Sequence, residues 1–290
     1  MKQNYRVFKP DHPVASVFVI HGMQEHKDRY IPFAEYLCRN NIGCVIYDLP
    51  GHKEEKKEDM GWFGEKDGYR NLIHSAVDIA VLTRKEFPDV PMFCFGHSMG
   101  SLIARNFLEK YSELIDGMIL SGAPCYNSAA PSGKVIVKVL SAFKGKKGHS
   151  KLLDDMVTGA FNKVVENPET PSDWISYNKD NVQAFVNDEW CGVPFTIQGY
   201  GDLLDLVIQM HKPENYHVVK PDLPVYFMAG EDDPCTGGKK GLEDSISVLR
   251  KAGYTNIDQK IYPEMRHEIL NEKGNEKVYA DTLNWIIEHV

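Results

Sequence analysis

The chain has 290 residues, 42% of them hydrophobic and 11% aromatic, which is typical of one large globular α/β domain or two smaller ones. The formal net charge of −8 argues against nucleic acid as a partner, because phosphate binding needs a basic face. The opening segment MKQNYRVFKPDHPV has no apolar run of signal-peptide length, and no later run reaches membrane-spanning length, so a cytoplasmic location is expected. The six cysteines show no C-x-x-C spacing, and several lie in apolar stretches, which indicates buried free thiols.

Short apolar runs alternate with longer helix-periodic segments along the first part of the chain. The predicted elements are, in order, a strand at 14–20, a helix at 28–43 that Gly43 ends, a strand at 44–48, a helix at 69–87, a strand at 91–95, a helix after Ser98 and a strand at 116–122. Alternation of this kind predicts a parallel sheet with helices on both faces.

The alternation stops after Gly122 and resumes only with a strand at 223–230. A helix at 239–252 closed by Gly253, a strand at 256–262 and a last helix at 275–289 complete the predicted elements. A right-handed crossover between parallel strands needs only a helix and two short loops. Residues 126–200 are therefore predicted to form a helical cap, inserted into a core made of residues 1–125 and 201–290.

A serine lies between two glycines directly after the predicted strand at 91–95. The segment Gly96-His97-Ser98-Met99-Gly100 matches G-x-S-x-G, the pattern of a nucleophile elbow. In such an elbow the serine has strained backbone dihedrals on a tight turn, and the glycines let neighbouring chains approach. A buried strand precedes the motif and apolar residues follow it at helical spacing, as the motif requires. Ser98 is therefore predicted to be a nucleophile, in preference to a small residue in a plain turn.

A serine nucleophile needs a histidine base and an orienting acid, and in this type of fold the acid precedes the histidine in the chain. His267 lies just beyond a predicted strand, where the loops of a parallel sheet gather, and is the predicted base. The other later histidines lie in or near the insertion or on the last helix and are interpreted as surface or packing residues: His149, His211, His217 and His289.

The segment MAGEDDP ends the strand before that histidine and offers three acids, Glu231, Asp232 and Asp233. Pro234 favours an extended conformation in the residue before it, which suits a carboxylate held at a strand end. Asp48 also ends a predicted strand, but it precedes the serine and is the weaker candidate.

Two backbone N–H groups are expected to bind the oxyanion of the reaction. One belongs to Met99, directly after the serine, and the other to Met23 in VIHGMQEHKDRY, after the first buried strand. His21 in this segment is interpreted as a residue that orients the loop by hydrogen bonding. Since His21 and His26 have no third ligand at metal spacing, no metal site is predicted.

The motifs HG-x-x-EH-x-x-RY, Y-D-x-x-GH, GHSMG and G-x-x-D-P…H occur in this order from residue 21 to residue 267. Together they resemble the monoacylglycerol lipase and lysophospholipase branch of the α/β-hydrolases. The resemblance implies the α/β-hydrolase fold, with a mostly parallel, doubly wound sheet and an inserted helical cap. It implies Ser98 as nucleophile, Asp233 as acid and His267 as base, with Met23 and Met99 as the oxyanion pair. The sequence departs from the family at DLPGHK, where the family commonly continues GHG-x-S at the pocket entrance.

The predicted cap combines a basic amphipathic segment with several aromatic residues. In KVIVKVLSAFKGKKGHSKLL, six lysines accompany a possible apolar face of Val135, Val139, Leu140 and Phe143. Such a segment could touch an anionic lipid surface transiently, but a helix whose apolar face covers the pocket is the preferred interpretation. The aromatic residues predicted to form a roof over an acyl chain, which cap packing alone would also require, are Trp174, Phe185, Trp190 and Phe195.

The sequence therefore predicts a serine carboxylic-ester hydrolase that uses a Ser-His-Asp triad and no cofactor. The expected substrate is a small-molecule or single-chain lipid ester such as a monoacylglycerol or a lysophospholipid. A short-chain carboxylesterase or a peptidase-like member of the same fold is the enzymatic alternative, whereas epoxide and haloalkane hydrolases would use Asp as nucleophile. A non-catalytic ligand receptor on this fold is the alternative from another class, and the intact triad argues against it.

Overall fold

Seven strands form a single sheet in a computed structural model of the chain, which describes residues 4–290. The strands are β1 (Tyr5–Phe8), β2 (Ala15–Ile20), β3 (Ile42–Tyr47), β4 (Met92–His97), β5 (Gly117–Ser121), β6 (Val225–Gly230) and β7 (Ile257–Tyr262). They lie in the order β1-β3-β2-β4-β5-β6-β7, with β1 antiparallel to β3 and the other neighbours parallel. The predicted, mostly parallel sheet is confirmed; residues 1–3 of the predicted core lie outside the described residues.

Helices cover both faces of this sheet. They are α1 (Ile31–Arg39), α2 (Gly68–Glu86), α3 (Met99–Tyr111), α4 (Ala130–Lys144), α5 (Lys151–Asn162), α6 (Lys179–Asn187), α7 (Ile197–Gln209), α8 (Gly238–Ala252) and α9 (Asn275–Glu288). Strand β2 is buried throughout, and its alternate side chains enter two different apolar clusters. Phe18 packs with residues of α2 and α3, and Val17 with residues of α1 and α9. The doubly wound arrangement is thus confirmed.

The structure differs from the predicted elements at two places near the start of the chain. Strand β1 was not predicted; it is short and half-exposed, and it pairs with β3 at the sheet edge. Gly43 does not end a helix, because α1 stops at Arg39 and Gly43 lies within β3. A Cβ on Gly43 would lie 2.4 Å from the ring of Phe87, so this glycine is needed for packing. The left-handed residue after the helix is instead Asn41, with φ 62°.

The segment predicted to be a cap contains α4, α5, a short 3₁₀ helix at Asp173–Ile175 and α6. The predicted boundary at residue 200 falls inside α7, so the division into 1–125, 126–200 and 201–290 stays a prediction. On α4, Leu140 packs against the core, whereas Val135, Val139 and Phe143 are exposed. The preferred interpretation, that this apolar face covers the pocket, is therefore wrong for these three residues.

The six cysteines, all within the described part of the chain, are free thiols, and four of them are buried. Among the helices of residues 4–290, none combines the length and the apolar character needed to cross a membrane.

Candidate active site

Ser98 lies on the tight turn between β4 and α3. Its backbone has φ 52° and ψ −119°, a strained conformation for a residue with a side chain. Its N–H donates to the carbonyl of Ser121 on β5 at 2.9 Å, and its own carbonyl accepts from the Ser101 hydroxyl at 2.7 Å. These bonds fix a turn with the geometry expected of an elbow, at the wall of a cavity.

Close backbone contacts require both glycines of this motif. A Cβ on Gly96 would lie 2.6 Å from the carbonyl oxygen of Gly100, and one on Gly100 would lie 2.1 Å from that of Ile20. Neither position therefore accepts a side chain unless the backbone moves. The G-x-S-x-G spacing follows from the packing of α3 against β4 and the end of β2.

His267 and Asp233 are buried and hydrogen bonded to each other, with Nδ1 and Oδ2 2.9 Å apart. The other carboxylate oxygen of Asp233 accepts from the backbone N–H of Cys235 at 2.8 Å, which fixes the orientation of the carboxylate. Asp232 instead accepts from the Tyr177 hydroxyl at 3.0 Å. Of the acids at this strand end, Asp233 is thus the one that the structure brings to the histidine.

The second ring nitrogen of His267, Nε2, is buried and has no hydrogen-bond partner among residues 4–290. His267 and Ser98 line the same cavity. Burial alone would lower the pKa of His267, but the charge and hydrogen bond of Asp233, with Glu268 and Glu25 nearby, raise this pKa above its usual value. With Nδ1–H donating to Asp233, the neutral ring leaves Nε2 as a proton acceptor.

The predicted oxyanion donors lie on two neighbouring segments. Met99 begins α3 directly after the elbow serine, and Met23 lines the cavity in the loop after β2. Within the described chain, neither backbone N–H has a protein acceptor. The loop is held by Gln24, with φ 57°, and by the N–H of Gly22, which donates to the Glu25 carboxylate at 2.6 Å. Both N–H groups therefore lack a protein acceptor; Met23 lines the cavity, and Met99 directly follows Ser98, which also lines it.

Three further histidines around the site are buried and neutral at physiological pH. Burial lowers the pKa of His21 and of His52 to about 3, and that of His97 to about 4. Nε2 of His21 accepts from the N–H of Leu49 at 3.0 Å, and its Nδ1–H donates to the Gly22 carbonyl at 2.8 Å. This geometry agrees with a role for His21 in orienting the loop.

A buried ion network, not identified from the sequence, joins the loops on either side of the site. Arg29 donates to Glu25 at 2.9 Å and to both oxygens of Glu268 at 2.5 and 2.7 Å. Burial would raise the pKa of Glu268, but the charge of Arg29 holds it well below its usual range. Asn181 of α6 donates to the same carboxylate at 2.7 Å. The sequence signal for this network was the pair Glu25 and Arg29, four residues apart in HG-x-x-EH-x-x-RY.

The cavity beside Ser98 has a volume of about 270 Å³ and a mixed lining. Its polar and acidic lining residues include Gln24, Glu25, Asp154, Thr158 and Glu268. Its apolar lining residues include Trp174, Ile175, Phe185, Val186 and Cys191. The cavity therefore offers apolar surface and hydrogen-bonding groups to one ligand.

The four aromatic residues predicted to form the roof lie in different places. Trp174 and Phe185 line the cavity. Trp190 and Phe195 do not: Trp190 lies 6.0 Å from the Lys57 ammonium, and Phe195 is buried 4.9 Å from the ring of Phe63. The sequence could not separate these pairs, because aromatic residues that pack the cap and those that line the pocket look alike.

Two groups of potential metal ligands occur in the described chain, each with atoms within 4.8 Å of one another: His26, Asp188 and Cys191, and Asp233, Cys235 and His267. In each group the histidine and the aspartate are hydrogen bonded to one another, at 2.8 and 2.9 Å, so these atoms are paired without an ion. The first group joins the loop after β2 to the cap, a contact that ligand spacing in the sequence did not predict.

Comparison with known proteins extends over most of the chain. The sequence model of the hydrolase family described as serine aminopeptidase, S33, matches residues 11–274. Monoglyceride lipase of Rattus norvegicus is 32% identical over 275 residues, 92% of this chain and 84% of that protein. The phospholipase YtpA of Bacillus subtilis is 26% identical over 280 residues, 94% of this chain and 95% of that protein. A carboxyl esterase from Bacillus coagulans, solved with glycerol, superposes with a TM-score of 0.90 at 26% identity, covering 100% of this chain and 96% of that one.

The sheet is mostly parallel, and the carboxyl ends of its strands carry a strained serine elbow and a histidine hydrogen bonded to an aspartate. These features define an α/β-hydrolase of the serine hydrolase class. The chain belongs to the S33 serine aminopeptidase family of these hydrolases, which its match over residues 11–274 shows. It is an enzyme, a serine ester hydrolase, and the resemblance to the monoacylglycerol lipase and lysophospholipase branch is confirmed. The non-catalytic receptor is set aside.

Proposed function

We propose that this ester hydrolase acts through a triad of Ser98, His267 and Asp233. The observation that carries the proposal is the unpartnered Nε2 of His267, which shares a cavity with Ser98 while Nδ1 is bonded to Asp233 at 2.9 Å. Nε2 takes the hydroxyl proton as Oγ of Ser98 attacks the ester carbonyl carbon. The imidazolium then protonates the leaving alcohol, and water activated by the same nitrogen releases the acid.

The oxyanion of the tetrahedral intermediate binds, in this proposal, to the N–H groups of Met23 and Met99. Met99 lies at the N-terminus of α3, where the helix dipole favours negative charge. The bond from Gly22 to Glu25 holds the other donor loop before substrate arrives, so little reorganisation is needed during the reaction.

A monoacylglycerol is the proposed substrate, in preference to a lysophospholipid. The acidic side chains of Glu25, Asp154 and Glu268 line the cavity, and the nearby Arg29 is already paired with two carboxylates. A phosphate on the leaving group would meet like charge, whereas the hydroxyls of a neutral polyol would find acceptors. The relatives named monoglyceride lipase and the esterase solved with glycerol support this choice.

A short-chain carboxylesterase is the second candidate, and the size of the cavity favours it. At about 270 Å³, the cavity is slightly smaller than the usual range for small-molecule pockets, roughly 300–1,000 Å³. An acyl chain of medium length fits this volume better than a long one. The dependence of turnover on chain length therefore separates the two candidates.

The outer face of the cap is proposed to contact an anionic lipid surface transiently. Val135, Val139 and Phe143 follow one another at four-residue spacing on α4 and are 62%, 51% and 85% exposed. Exposed lysines lie on the same helix and directly after it, among them Lys138 and Lys144. Apolar residues flanked by lysines suit insertion among acyl chains beside anionic headgroups. This contact is proposed for an enzyme of the cytoplasm, the location that the sequence predicts.

Replacement of the nucleophile tests the central proposal. Ser98→Ala is expected to lower kcat for p-nitrophenyl esters by about 10⁴- to 10⁶-fold with the fold intact. The matched control is Ser172→Ala, a serine of the same cavity that has no role in the proposed chemistry. A fluorophosphonate should label wild type and the control at Ser98 stoichiometrically. Labelling at another serine, or none on folded wild type, would contradict the proposal.

The peptidase-like alternative is tested with the matched p-nitroanilide of the best p-nitrophenyl ester. The proposal expects ester turnover to exceed anilide turnover by several orders of magnitude, because p-nitrophenoxide leaves far more readily than the amine of the anilide. Anilide turnover equal to that of the ester would favour a peptidase.

A further inference from the structure

We infer that one segment of the cap, residues 173–178, positions His267 for proton transfer, and that Glu272 is the positioning residue that holds this segment in place. We call residues 173–178 the strap. The inference rests on the proposed role of His267 as base and goes beyond it, because it makes the position of that base depend on the cap.

The strap contacts the histidine loop on both sides of His267. The carbonyl of Ile175 accepts from the backbone N–H of Glu268 at 2.7 Å, and the carbonyl of Asp173 accepts from the Arg266 guanidinium at 2.8 Å. Both chain neighbours of His267 are thus bonded to the strap. Between them, the ring of Trp174 lies 4.9 Å from the imidazole of His267, inclined by 38°. The strap therefore fixes both the main chain and one face of the imidazole ring.

Glu272 ties the strap and the histidine loop to one carboxylate. It is 3% exposed and accepts four hydrogen bonds. Oε1 accepts from the backbone N–H groups of Tyr177 and Arg266, each at 2.9 Å. Oε2 accepts from the Ser176 hydroxyl at 2.7 Å and from the N–H of Asn178 at 3.0 Å. A glutamine amide cannot accept this set, since its NH₂ group would face at least one N–H donor in either orientation.

Glu272 acts on His267 through geometry rather than through its charge. The acids that raise the pKa of His267 are Asp233, Glu268 and Glu25, and the ring of His97 lies 4.7 Å from the imidazole. Asp233 fixes Nδ1 of His267. The main chain of the histidine loop and the ring face that contacts Trp174 depend on the strap instead. Release of the strap would misplace Nε2 relative to Ser98, and a 1 Å error in such a position can cost about 10²-fold in rate.

The test is Glu272→Gln in the full chain, assayed with a monomeric ester across pH. We expect kcat to fall about 10²-fold, KM to change by less than about threefold, and the apparent pKa to stay in place. The matched control is Asp205→Asn, which removes a carboxylate that binds Lys134 of α4 at 2.6 Å, away from the strap. This variant should keep the wild-type kcat. Folding of each variant is checked by thermal unfolding.

A readout without turnover separates this inference from the proposed function. Protonated imidazole quenches indole, so the fluorescence of Trp174, isolated by subtracting a Trp174→Phe variant, should show a step as His267 titrates. Glu272→Gln should lose the step and Asp205→Asn should keep it. If the wild-type protein shows the fluorescence step but hydrolyses no ester, the proposed function is wrong and the inference about the strap still stands.

Several results would overturn the inference. One is a folded Glu272→Gln enzyme with wild-type kcat and an intact fluorescence step. Another is a fall in kcat that Asp205→Asn matches, because the effect would then be general to cap attachment. If Glu272→Gln does not fold, Ser176→Ala removes one of the four bonds and should lower kcat several-fold; an unchanged rate in this folded variant would also overturn the inference.

Discussion

The loops at the carboxyl ends of the parallel strands and the exposed faces of α4 and α5 are held in opposite ways. At the edge, buried polar groups are paired by short bonds, as in the contacts of Asp233 with His267 and of Arg29 with Glu268. On α4 and α5, apolar residues such as Phe143 and Leu152 are exposed, and the ion pair of Lys151 with Asp155 lies at the surface. Buried pairs fix positions, whereas exposed ion pairs contribute little to stability. The proposed chemistry thus lies in the fixed region, and the proposed lipid contact lies on the other.

The inner part of the cap belongs with the fixed region. Glu272 binds the strap, Asn181 of α6 binds Glu268, and His26 binds Asp188 at 2.8 Å. The segment predicted to be a cap therefore has an inner part, which contacts or lines the candidate site and includes Asp154 and Thr158 of α5, and an outer part, the exposed faces of α4 and α5. Each prediction below alters one of these regions and asks whether the other is affected.

Apart from the replacement of Ser98, the largest effect is expected from replacement of the acid of the fixed region. Asp233→Asn should lower kcat about 10⁴-fold, because the imidazole loses the charge that stabilises its protonated form and the acceptor that selects its tautomer. The control is Asp232→Asn, which removes a charge, leaves an amide oxygen that can still accept from the Tyr177 hydroxyl, and should stay close to wild type. Steady-state kinetics on p-nitrophenyl esters measure both. A larger loss in Asp232→Asn would move the acid by one residue.

The accuracy of the sequence-based predictions follows the same division. At the sheet edge, backbone constraints leave sequence signals: Pro234 held the residue before it in the extended conformation, and the glycines of the elbow mark contacts that exclude a Cβ. The mostly parallel sheet followed from buried strands that alternate with helices. In the cap, Phe195 and Phe185 are equally apolar, and only tertiary packing sends one to the core and the other to the cavity. Partners far apart in sequence, such as Arg29 with Glu268, also leave little signal.

The next effect concerns pH. The pKa of His267 lies above its usual value, so kcat/KM should rise with pH through an apparent pKa above that of a free imidazole and fall on the order of tenfold per pH unit below it. Activity rises rather than falls with pH because His267 must be neutral to act as a base. His21 and His52, with pKa values of about 3, stay neutral over this range and add no second step. A profile flat between about pH 5 and 8, with chemistry rate-limiting, would contradict the role of His267 as base.

A smaller effect is expected from acyl-chain length. Each methylene moved from water into the cavity is worth up to ~0.8 kcal/mol, so four more carbons should raise kcat/KM roughly tenfold even if half of this is realised. The rise should end at medium length, when the cavity of about 270 Å³ is full. Phe185→Ala should flatten the rise, whereas Trp190→Ala, outside the cavity, should not. A maximum at acetate in the wild-type series would leave a small-molecule carboxylesterase.

The smallest effect concerns the outer part of the cap and does not involve the chemistry. Val139→Ser should weaken binding to anionic vesicles a few-fold, and Phe143→Ser about tenfold, since full burial of such side chains is worth about 1.5–3 kcal/mol and a transient contact gains part of it. Val81→Ser is the matched control, because Val81 is 58% exposed, Val139 is 51% exposed, and Val81 lies on α2 of the core. Turnover of a monomeric ester should be unchanged in all three variants. Added salt should weaken vesicle binding, because the lysines near Phe143 contribute through charge.

Equal losses in Val81→Ser and Val139→Ser would show that no particular face meets the membrane. A fall in monomeric turnover in Phe143→Ser would show that the outer helices are coupled to the active site after all.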